Sequence, residues 1–125
     1  MYEQWGTFTQ KIADSKIVIS FPRCMRNPKD TGSVATLTMR YWEAMLSRCV
    51  IVGHCPQELM DIVGYDPVVE ADFLTPCQQI EGILAHLPDY QPLVDKNREV
   101  ALRLSPWKTR MDTVFRAVES LLETS

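Results

Sequence analysis

The sequence predicts a single α/β domain, a small three-layer αβα unit with a short parallel sheet. Two apolar runs, residues 17–21 and 49–53, lack the alternation of a half-buried strand. Such runs are typical of strands that are buried on both faces, as in parallel sheets. Segments with apolar residues at helical spacing separate the runs, which favours parallel strands joined by right-handed crossovers.

Length and composition narrow the class of protein. The chain has 125 residues, 46% of them hydrophobic and 23% charged, with a net charge of -3. These values fit one folded domain and lack the basic excess of a nonspecific nucleic-acid binder. No apolar run approaches the roughly 18 residues of a membrane helix. Glu3 and Trp5 stand where a signal peptide would have basic and apolar segments. We therefore expect a cytoplasmic protein with no membrane span and no nucleic-acid partner.

The cysteines favour a reducing compartment. Cys24, Cys49, Cys55 and Cys77 form no C-x-x-C pair and have no regular spacing, which is typical of free thiols in a cytosolic protein. His54 and Cys55 are adjacent, and two adjacent residues cannot close a tetrahedral zinc site. We expect neither a metal nor a cofactor.

The first half of the chain alternates helices and strands. A helix over residues 3–13 places three apolar side chains on one face: Trp5, Phe8 and Ile12. A strand over 17–21 and a polar loop over 23–36 follow. The next helix has Thr36 or Thr38 as its N-cap, and one side of it is apolar: Leu37, Tyr41, Ala44 and Met45.

The second strand, residues 49–53, leads into a helix that Pro56 opens at its first position and Gly64 closes in the left-handed conformation. Its predicted apolar face consists of Leu59, Ile62 and Val63. A third strand covers residues 68–71. The sheet should therefore be parallel, with its strands in chain order.

Three helices complete the predicted domain. The first begins with a capping box, Thr75–Gln78, and continues with apolar residues at helical spacing: Ile80, Ile83, Leu84 and Leu87. The second is indicated by Tyr90, Leu93, Val94, Asn97 and Ala101. The third begins at Ser105–Pro106 and carries a continuous apolar stripe: Met111, Val114, Phe115, Val118, Leu121 and Leu122.

Residues 36–53 carry a more specific signal. Arg40-Tyr41-Trp42-Glu43 runs into Ala44-Met45, and the strand Cys49–Gly53 follows. This stretch resembles the C-terminal, donor-binding domain of retaining GT-B glycosyltransferases of the group 1 type, which use nucleotide-diphosphate sugars. Trp107 and Arg110 match a terminal helix of that family. The similarity covers roughly residues 16–122 in element order, and it implies the last part of a GT-B Rossmann-like domain.

The resemblance implies a binding site for a UDP- or GDP-linked sugar. Glu43 would bind the ribose hydroxyls, and the residues that surround the diphosphate would be Gly32, Thr36, Leu37, Thr38 and Arg40. A helix N-terminus suits a diphosphate, because its free amides and positive dipole end attract anions. Without the resemblance, an ordinary glutamate on a helix surface is the favoured interpretation of Glu43.

Two departures from the family pattern stand out. Ala35 occupies a position where the family often has a glutamate that contacts the donor sugar, so sugar recognition is open. Arg48 replaces the glycine that ends the helix, and a left-handed cap without glycine costs about 1 kcal/mol.

Cationic residues follow the strands at the carboxyl end, where α/β sheets bind ligands. Arg23, Arg26 and Lys29 follow the first strand, and His54 follows the second. They could meet a phosphate, but a solvated basic loop is the favoured interpretation for the first three, and an ordinary polar surface residue for His54.

Two functions from different classes remain. In the first, the chain binds a nucleotide-diphosphate sugar and is catalytic only with an N-terminal acceptor-binding domain that these residues do not supply. In the second, it is a non-enzymatic α/β interaction or assembly module whose donor site is unused. In either case we expect a homo-oligomer, paired through the edge of the strand at 17–21 or through helix faces such as Phe115 and Leu122.

Overall fold

The computed structural model of the chain describes residues 2–26, 29 and 37–124. Within these residues the chain forms seven helices and three strands. The helices are α1 (Tyr2–Asp14), α2 (Arg23–Arg26), α3 (Met39–Leu46), α4 (Gln57–Val63), α5 (Pro76–Ala85), α6 (Leu87–Leu104) and α7 (Trp107–Glu123). The strands are β1 (Ile17–Ser20), β2 (Val50–Gly53) and β3 (Val69–Glu70).

The strands form one parallel sheet in the order β1-β2-β3. Ile17 lies opposite Val50, and Val52 lies opposite Val69. The predicted parallel sheet in chain order is therefore confirmed. The prediction that β1 is buried on both faces is wrong, because Ile19 is 54% exposed. β1 lies at the edge of the sheet, whereas the central strand β2 is buried along its whole length.

Helices pack against both faces of β2, because its side chains alternate between the faces. Ile51 lies in a cluster with side chains of α3 and α4: Tyr41, Met45 and Leu59. Val50 and Val52 lie in a second cluster with side chains of α5 and α6: Ile83 and Val94. This arrangement is compatible with the predicted three-layer domain.

α3 ends in a left-handed residue that is not glycine. Arg48 has φ 57°, although this conformation usually requires glycine. The amide of Cys49 donates to the Ala44 carbonyl at 3.2 Å, and that of Arg48 to the Met45 carbonyl at 3.4 Å. Both bonds belong to the Schellman pattern of helix ends. The helix therefore ends as it would with glycine, at the cost of a strained arginine.

Other helix ends differ in detail from the predictions. Gly64 closes α4 with φ 84°, as predicted. Pro56 is the N-cap of α4 rather than its first residue. The capping box at Thr75 is wrong, because the Thr75 hydroxyl donates to Asp72 Oδ2 at 2.7 Å instead of accepting from the helix. Two residues of the predicted apolar faces are also exposed: Ile62 (47%) and Leu84 (49%).

The predicted apolar stripe of the last helix lies on the surface. Every residue of α7 is exposed or half-buried. We call six of its residues, each 41–71% exposed, the apolar face of α7: Trp107, Met111, Val114, Phe115, Val118 and Leu121. Leu122, which completed the predicted stripe, is 69% exposed. No helix in the described part of the chain is long and apolar enough to cross a membrane.

Candidate functional site

The three strands end together at Ser20, Gly53 and Glu70, which define the carboxyl edge of the sheet. β1 and β2 approach each other closely there, because a Cβ at Gly53 would overlap the Ser20 carbonyl. The amide of His54 donates to that carbonyl at 3.2 Å. Glycine is thus required at position 53, and the close contact fixes the backbone from which His54 projects.

Tyr41 ties α3 to the carboxyl edge. Its side chain is fully buried, and its hydroxyl donates to the His54 carbonyl at 2.7 Å. Burial raises the pKa of Tyr41 from 10.0 to about 12, and a hydrogen bond with the Ser20 side chain acts in the opposite direction. Because Tyr41 lies in the first turn of α3, the helix begins at the carboxyl edge and runs toward the opposite end of the sheet.

A carboxylate already contacts the backbone at the start of α3. The Leu37 amide, a predicted phosphate donor, donates instead to Glu58 Oε2 at 3.3 Å. Glu58 lies in the first turn of α4, which follows β2. A carboxylate is favourable at the positive end of a helix dipole. The predicted diphosphate position is therefore bordered by a negative charge, and a phosphate there would compete with Glu58.

The structure describes four of the six predicted ligand-binding residues: Leu37, Thr38, Arg40 and Glu43. Gly32 and Thr36 lie outside the described residues. Thr38 is the N-cap of α3 with φ -108° and ψ 161°, as one of the two alternatives predicted. Arg40 is exposed and Glu43 is half-buried. They lie one turn apart on the side of α3 opposite its buried residues.

His54 and Glu70 form a contact across the ends of β2 and β3. His54 Nδ1 lies 3.0 Å from one carboxylate oxygen of Glu70 and 3.3 Å from the other. Both side chains are partly exposed, 41% for His54 and 62% for Glu70. His54 was a candidate from the sequence, but Glu70 was missed. Its position at the end of a predicted strand beside His54 was the available signal.

Two aromatic rings meet beside the same edge. Phe21 follows β1 and Phe73 follows β3, and their rings stack with centroids 5.7 Å apart at 28°. Sequence reasoning did not find this pair, because the two residues are 52 positions apart. Phe73 is 69% exposed, so much of its ring surface faces solvent.

The turn after β3 is organised by Asp72 and Gln79. Asp72 accepts hydrogen bonds from the amides of Leu74 and Thr75 and from the Thr75 hydroxyl. These bonds, led by the hydroxyl, lower the pKa of Asp72. Gln79 accepts from the Asp72 amide and donates to the Glu70 carbonyl at 2.7 Å. The sequence analysis did not predict this turn. The available signal was an aspartate three residues before a threonine, Asp72 and Thr75, which is a spacing typical of such turns.

The cysteines differ in accessibility. Cys49 and Cys55 are buried, Cys24 is half-buried and Cys77 is exposed. Burial raises the pKa of Cys55 from 9.0 to about 12, which leaves little thiolate near neutral pH. In the part of the chain that the structure describes, no three His, Cys, Asp or Glu side chains are placed to hold a metal ion. The edge therefore offers hydrogen bonds, charges and aromatic surface to a ligand.

In the comparisons with known proteins, no protein-family model, curated protein or solved structure matches this chain. Its function must therefore be argued from the geometry of the carboxyl edge and from the residues between 36 and 53.

Proposed function

We propose that this chain is a nucleotide-diphosphate-sugar-binding domain of the glycosyltransferase type, with its ligand at the carboxyl edge of the sheet. The observation that carries the proposal is the bond from Tyr41 to the His54 carbonyl, because it brings the start of α3 to this edge. Helix N-termini beside the carboxyl ends of parallel strands are well suited to phosphate groups. The diphosphate would bind beside Leu37 and Thr38.

Glu43 is the proposed ligand of the ribose hydroxyls. Side chains of a helix lean toward its N-terminus, so Glu43 extends back toward Arg40 and the start of α3. A carboxylate can accept hydrogen bonds from both ribose hydroxyls, as the acidic residue does in dinucleotide folds. The resemblance of residues 36–53 to the donor-binding domain supports this role. Sugar transfer would require an acceptor-binding domain in addition.

The second candidate is a non-enzymatic interaction or assembly module with an unused donor site. One specific observation favours it, because Glu58 accepts a hydrogen bond from the Leu37 amide that a phosphate would need. A bound diphosphate must displace this carboxylate or bind beside it. The two candidates therefore make different predictions for the effect of neutralising Glu58.

Calorimetric titration of the chain with UDP and GDP tests the proposal. We expect Glu43→Gln to weaken binding by about 1–3 kcal/mol, because it removes charge-assisted hydrogen bonds to ribose. Glu58→Gln should instead tighten binding by roughly twofold to fivefold, because a competing negative charge is lost. Glu99→Gln is the control, because it removes the same charge far from the proposed site. The neighbouring residue, Arg98, donates to the Leu46 carbonyl at the far end of α3.

Absence of binding by UDP and GDP at millimolar concentration would favour the assembly module over the donor-binding domain. Binding that is unchanged in Glu43→Gln would remove the ribose role from this residue. Binding that is unchanged in Glu58→Gln would place the diphosphate away from the start of α3.

A further inference from the structure

Basic and acidic residues are separated along the carboxyl edge of the sheet. Arg23, Arg26 and Lys29 follow β1, whereas Glu58 follows β2 and Glu70 ends β3. α3 joins β1 to β2, so its start lies between the two groups. A diphosphate at the start of α3 would therefore have the acidic residues on one side only, at the ends of β2 and β3.

The Glu70 carboxylate lies on the side of the sheet that α3 and α4 cover. Val69 and Ala71 pack in the cluster that contains side chains of α5 and α6. Because successive residues of a strand point to opposite faces, Glu70 points toward α3 and α4. Burial is the main cause of the raised pKa of Tyr41, and the negative charge of Glu70 adds to it. The carboxylate is thus close to the phenol that ties α3 to this edge.

Glu70 also orients the imidazole of His54. Nδ1 of His54 lies 3.0 Å from Oε1 of Glu70, and an ionised carboxylate only accepts hydrogen bonds, so Nδ1 carries the proton. In the neutral ring the other nitrogen, Nε2, is then an acceptor. The carboxylate has two oxygens and about four lone-pair sites, so it can accept more than this one bond. The pair therefore presents several acceptors for hydroxyl groups.

This pair of residues lies close to the start of α3. The Leu37 amide donates to Glu58 Oε2 at 3.3 Å, which brings the starts of α3 and α4 together. Four positions separate His54 from Glu58, and such a segment spans at most roughly 14 Å. A hexose joined to a diphosphate beside Leu37 and Thr38 is of comparable length, so its sugar can reach His54.

We propose that His54 and Glu70 bind the sugar hydroxyls of the donor and select a neutral hexose over a hexuronic acid. This role rests on the proposed nucleotide-diphosphate-sugar function of the chain. Sugar hydroxyls donate charge-assisted hydrogen bonds to a carboxylate. A carboxylate on the sugar would instead meet the negative charges of Glu58 and Glu70, which disfavour it. The phosphates then lie at the start of α3, and the sugar lies at the ends of β2 and β3.

Calorimetric titration with UDP, UDP-glucose and UDP-glucuronic acid tests this role in the wild-type chain. The two sugars differ only at C6, where a carboxylate replaces a hydroxymethyl group. We expect UDP-glucose to bind at least about fivefold tighter than UDP and at least about tenfold tighter than UDP-glucuronic acid. If GDP is the nucleotide that binds, then GDP, GDP-mannose and GDP-mannuronic acid form the equivalent series.

Two substitutions separate sugar binding from nucleotide binding. Glu70→Gln keeps the shape of the side chain and removes its charge. It should weaken UDP-glucose binding about tenfold, leave UDP binding within about twofold, and reduce the preference over UDP-glucuronic acid about fivefold. His54→Ala should also weaken UDP-glucose binding and spare UDP. Circular dichroism of each variant reports whether the chain remains folded.

Asp89→Asn is the matched control. Asp89 Oδ2 lies 4.0 Å from His86 Nδ1 in a second exposed pair of the same type. That pair follows the end of α5, a helix of ten residues that begins after β3 and is about 15 Å long. All three affinities should therefore stay within about twofold of wild type.

Equal losses of UDP and UDP-glucose binding in Glu70→Gln would mean that the pair only supports the backbone, and would overturn the proposed role. UDP that binds wild type as tightly as UDP-glucose would place the sugar away from His54 and Glu70, while the donor-binding domain would stand. UDP-glucuronic acid that binds as tightly as UDP-glucose would overturn the selection of a neutral hexose. Absence of binding by every nucleotide would overturn the proposed function and this role together.

Discussion

Tyr41 shows how one residue links the core to the candidate site. Its ring lies in the cluster around Ile51, while its hydroxyl bonds to the His54 carbonyl and the Ser20 side chain. Both partners lie at the carboxyl edge, so the phenol positions the start of α3 against the strands. A buried hydroxyl with two partners is costly to remove, because each partner is left unsatisfied.

Because the pKa of Tyr41 is raised, the stability of the chain should decrease at alkaline pH. The folded state holds the phenol proton to a pKa of about 12, against 10.0 without burial. Its contribution to stability is therefore fully present below pH 10 and is lost as pH rises toward 12. Cys55 acts in the same sense, because its pKa rises from 9.0 to about 12.

We expect Tyr41→Phe to lower the free energy of unfolding by about 1–3 kcal/mol at pH 8. The loss of stability between pH 10 and 12 should be shallower in this variant than in wild type, with the Cys55 contribution remaining. Urea unfolding at pH 8, 10 and 11.5 measures both effects, and Tyr90→Phe controls for the removal of a phenol. An equally steep loss in Tyr41→Phe would contradict the assignment.

Arg48 offers a stabilising substitution. Its φ of 57° strains a residue that carries a Cβ, whereas glycine adopts this conformation freely. Arg48→Gly should raise the free energy of unfolding by about 1 kcal/mol in urea denaturation. The reciprocal change, Gly64→Ala at φ 84°, should lower it by a similar amount. A destabilising Arg48→Gly would show that the arginine side chain compensates for the strain.

At the scale of elements, the register of β1 and β2 depends on a close backbone contact at their carboxyl ends. Ser20 pairs with Gly53, and the Ser20 carbonyl accepts from the His54 amide. The space at Gly53 is occupied by that carbonyl, so the two strands cannot separate there without losing this bond. The contact also fixes the backbone of His54, whose side chain contacts Glu70.

Gly53→Ala should therefore be strongly destabilising, by about 3 kcal/mol or more, because the new Cβ overlaps the Ser20 carbonyl. Gly82→Ala is the matched control, since a Cβ at Gly82 in α5 meets open space. That variant should gain about 0.5–1 kcal/mol from helix propensity. Thermal unfolding followed by circular dichroism compares them. A tolerated Gly53→Ala would mean that β1 can shift away from β2.

At the scale of the whole molecule, the described residues form a packed body to which the last helix, α7, contributes little. The two core clusters draw on α1, α3, α4, α5 and α6 and on the sheet, and the fully buried side chains among the described residues lie between residues 20 and 101. α7 contacts the body near its first turn, where Arg110 lies over the ring of Trp42 and the Thr109 hydroxyl donates to the Arg103 carbonyl at 3.3 Å. Stability and association should therefore be separable properties.

Truncation after Ser105 tests this separation. Removal of α7 should lower the free energy of unfolding of the dilute, monomeric chain by only about 1–2 kcal/mol, because it removes the cation–π contact of Arg110 with Trp42 and the exposed hydrogen bond from Thr109 to the Arg103 carbonyl. Val94→Ala, a core change in α6, should cost about 1–3 kcal/mol under the same conditions. A truncated chain that fails to fold would show that α7 belongs to the body after all.

Local sequence patterns were sufficient to predict much of this fold. The apolar runs at 17–21 and 49–53 predicted two of the strands, and helical spacing located most helices to within a few residues. The parallel order followed from the alternation of elements, since the crossovers leave few topologies. The sequence also predicted that His54 follows the second strand and that Thr36 or Thr38 begins the next helix, because both positions follow directly from those of predicted elements.

Burial and long-range pairing were decided only by the tertiary structure. The stripe of α7 has the same periodicity as a core-facing helix, yet it is exposed, whereas Ile83 at similar spacing is buried. The bond between Leu37 and Glu58, the His54–Glu70 contact and the stacking of Phe21 on Phe73 join residues 16 to 52 positions apart. The periodicity of a sequence reflects only residues that are three or four positions apart. It can therefore show which face of an element is apolar. Which element, or which second molecule, covers that face depends on how the whole chain packs.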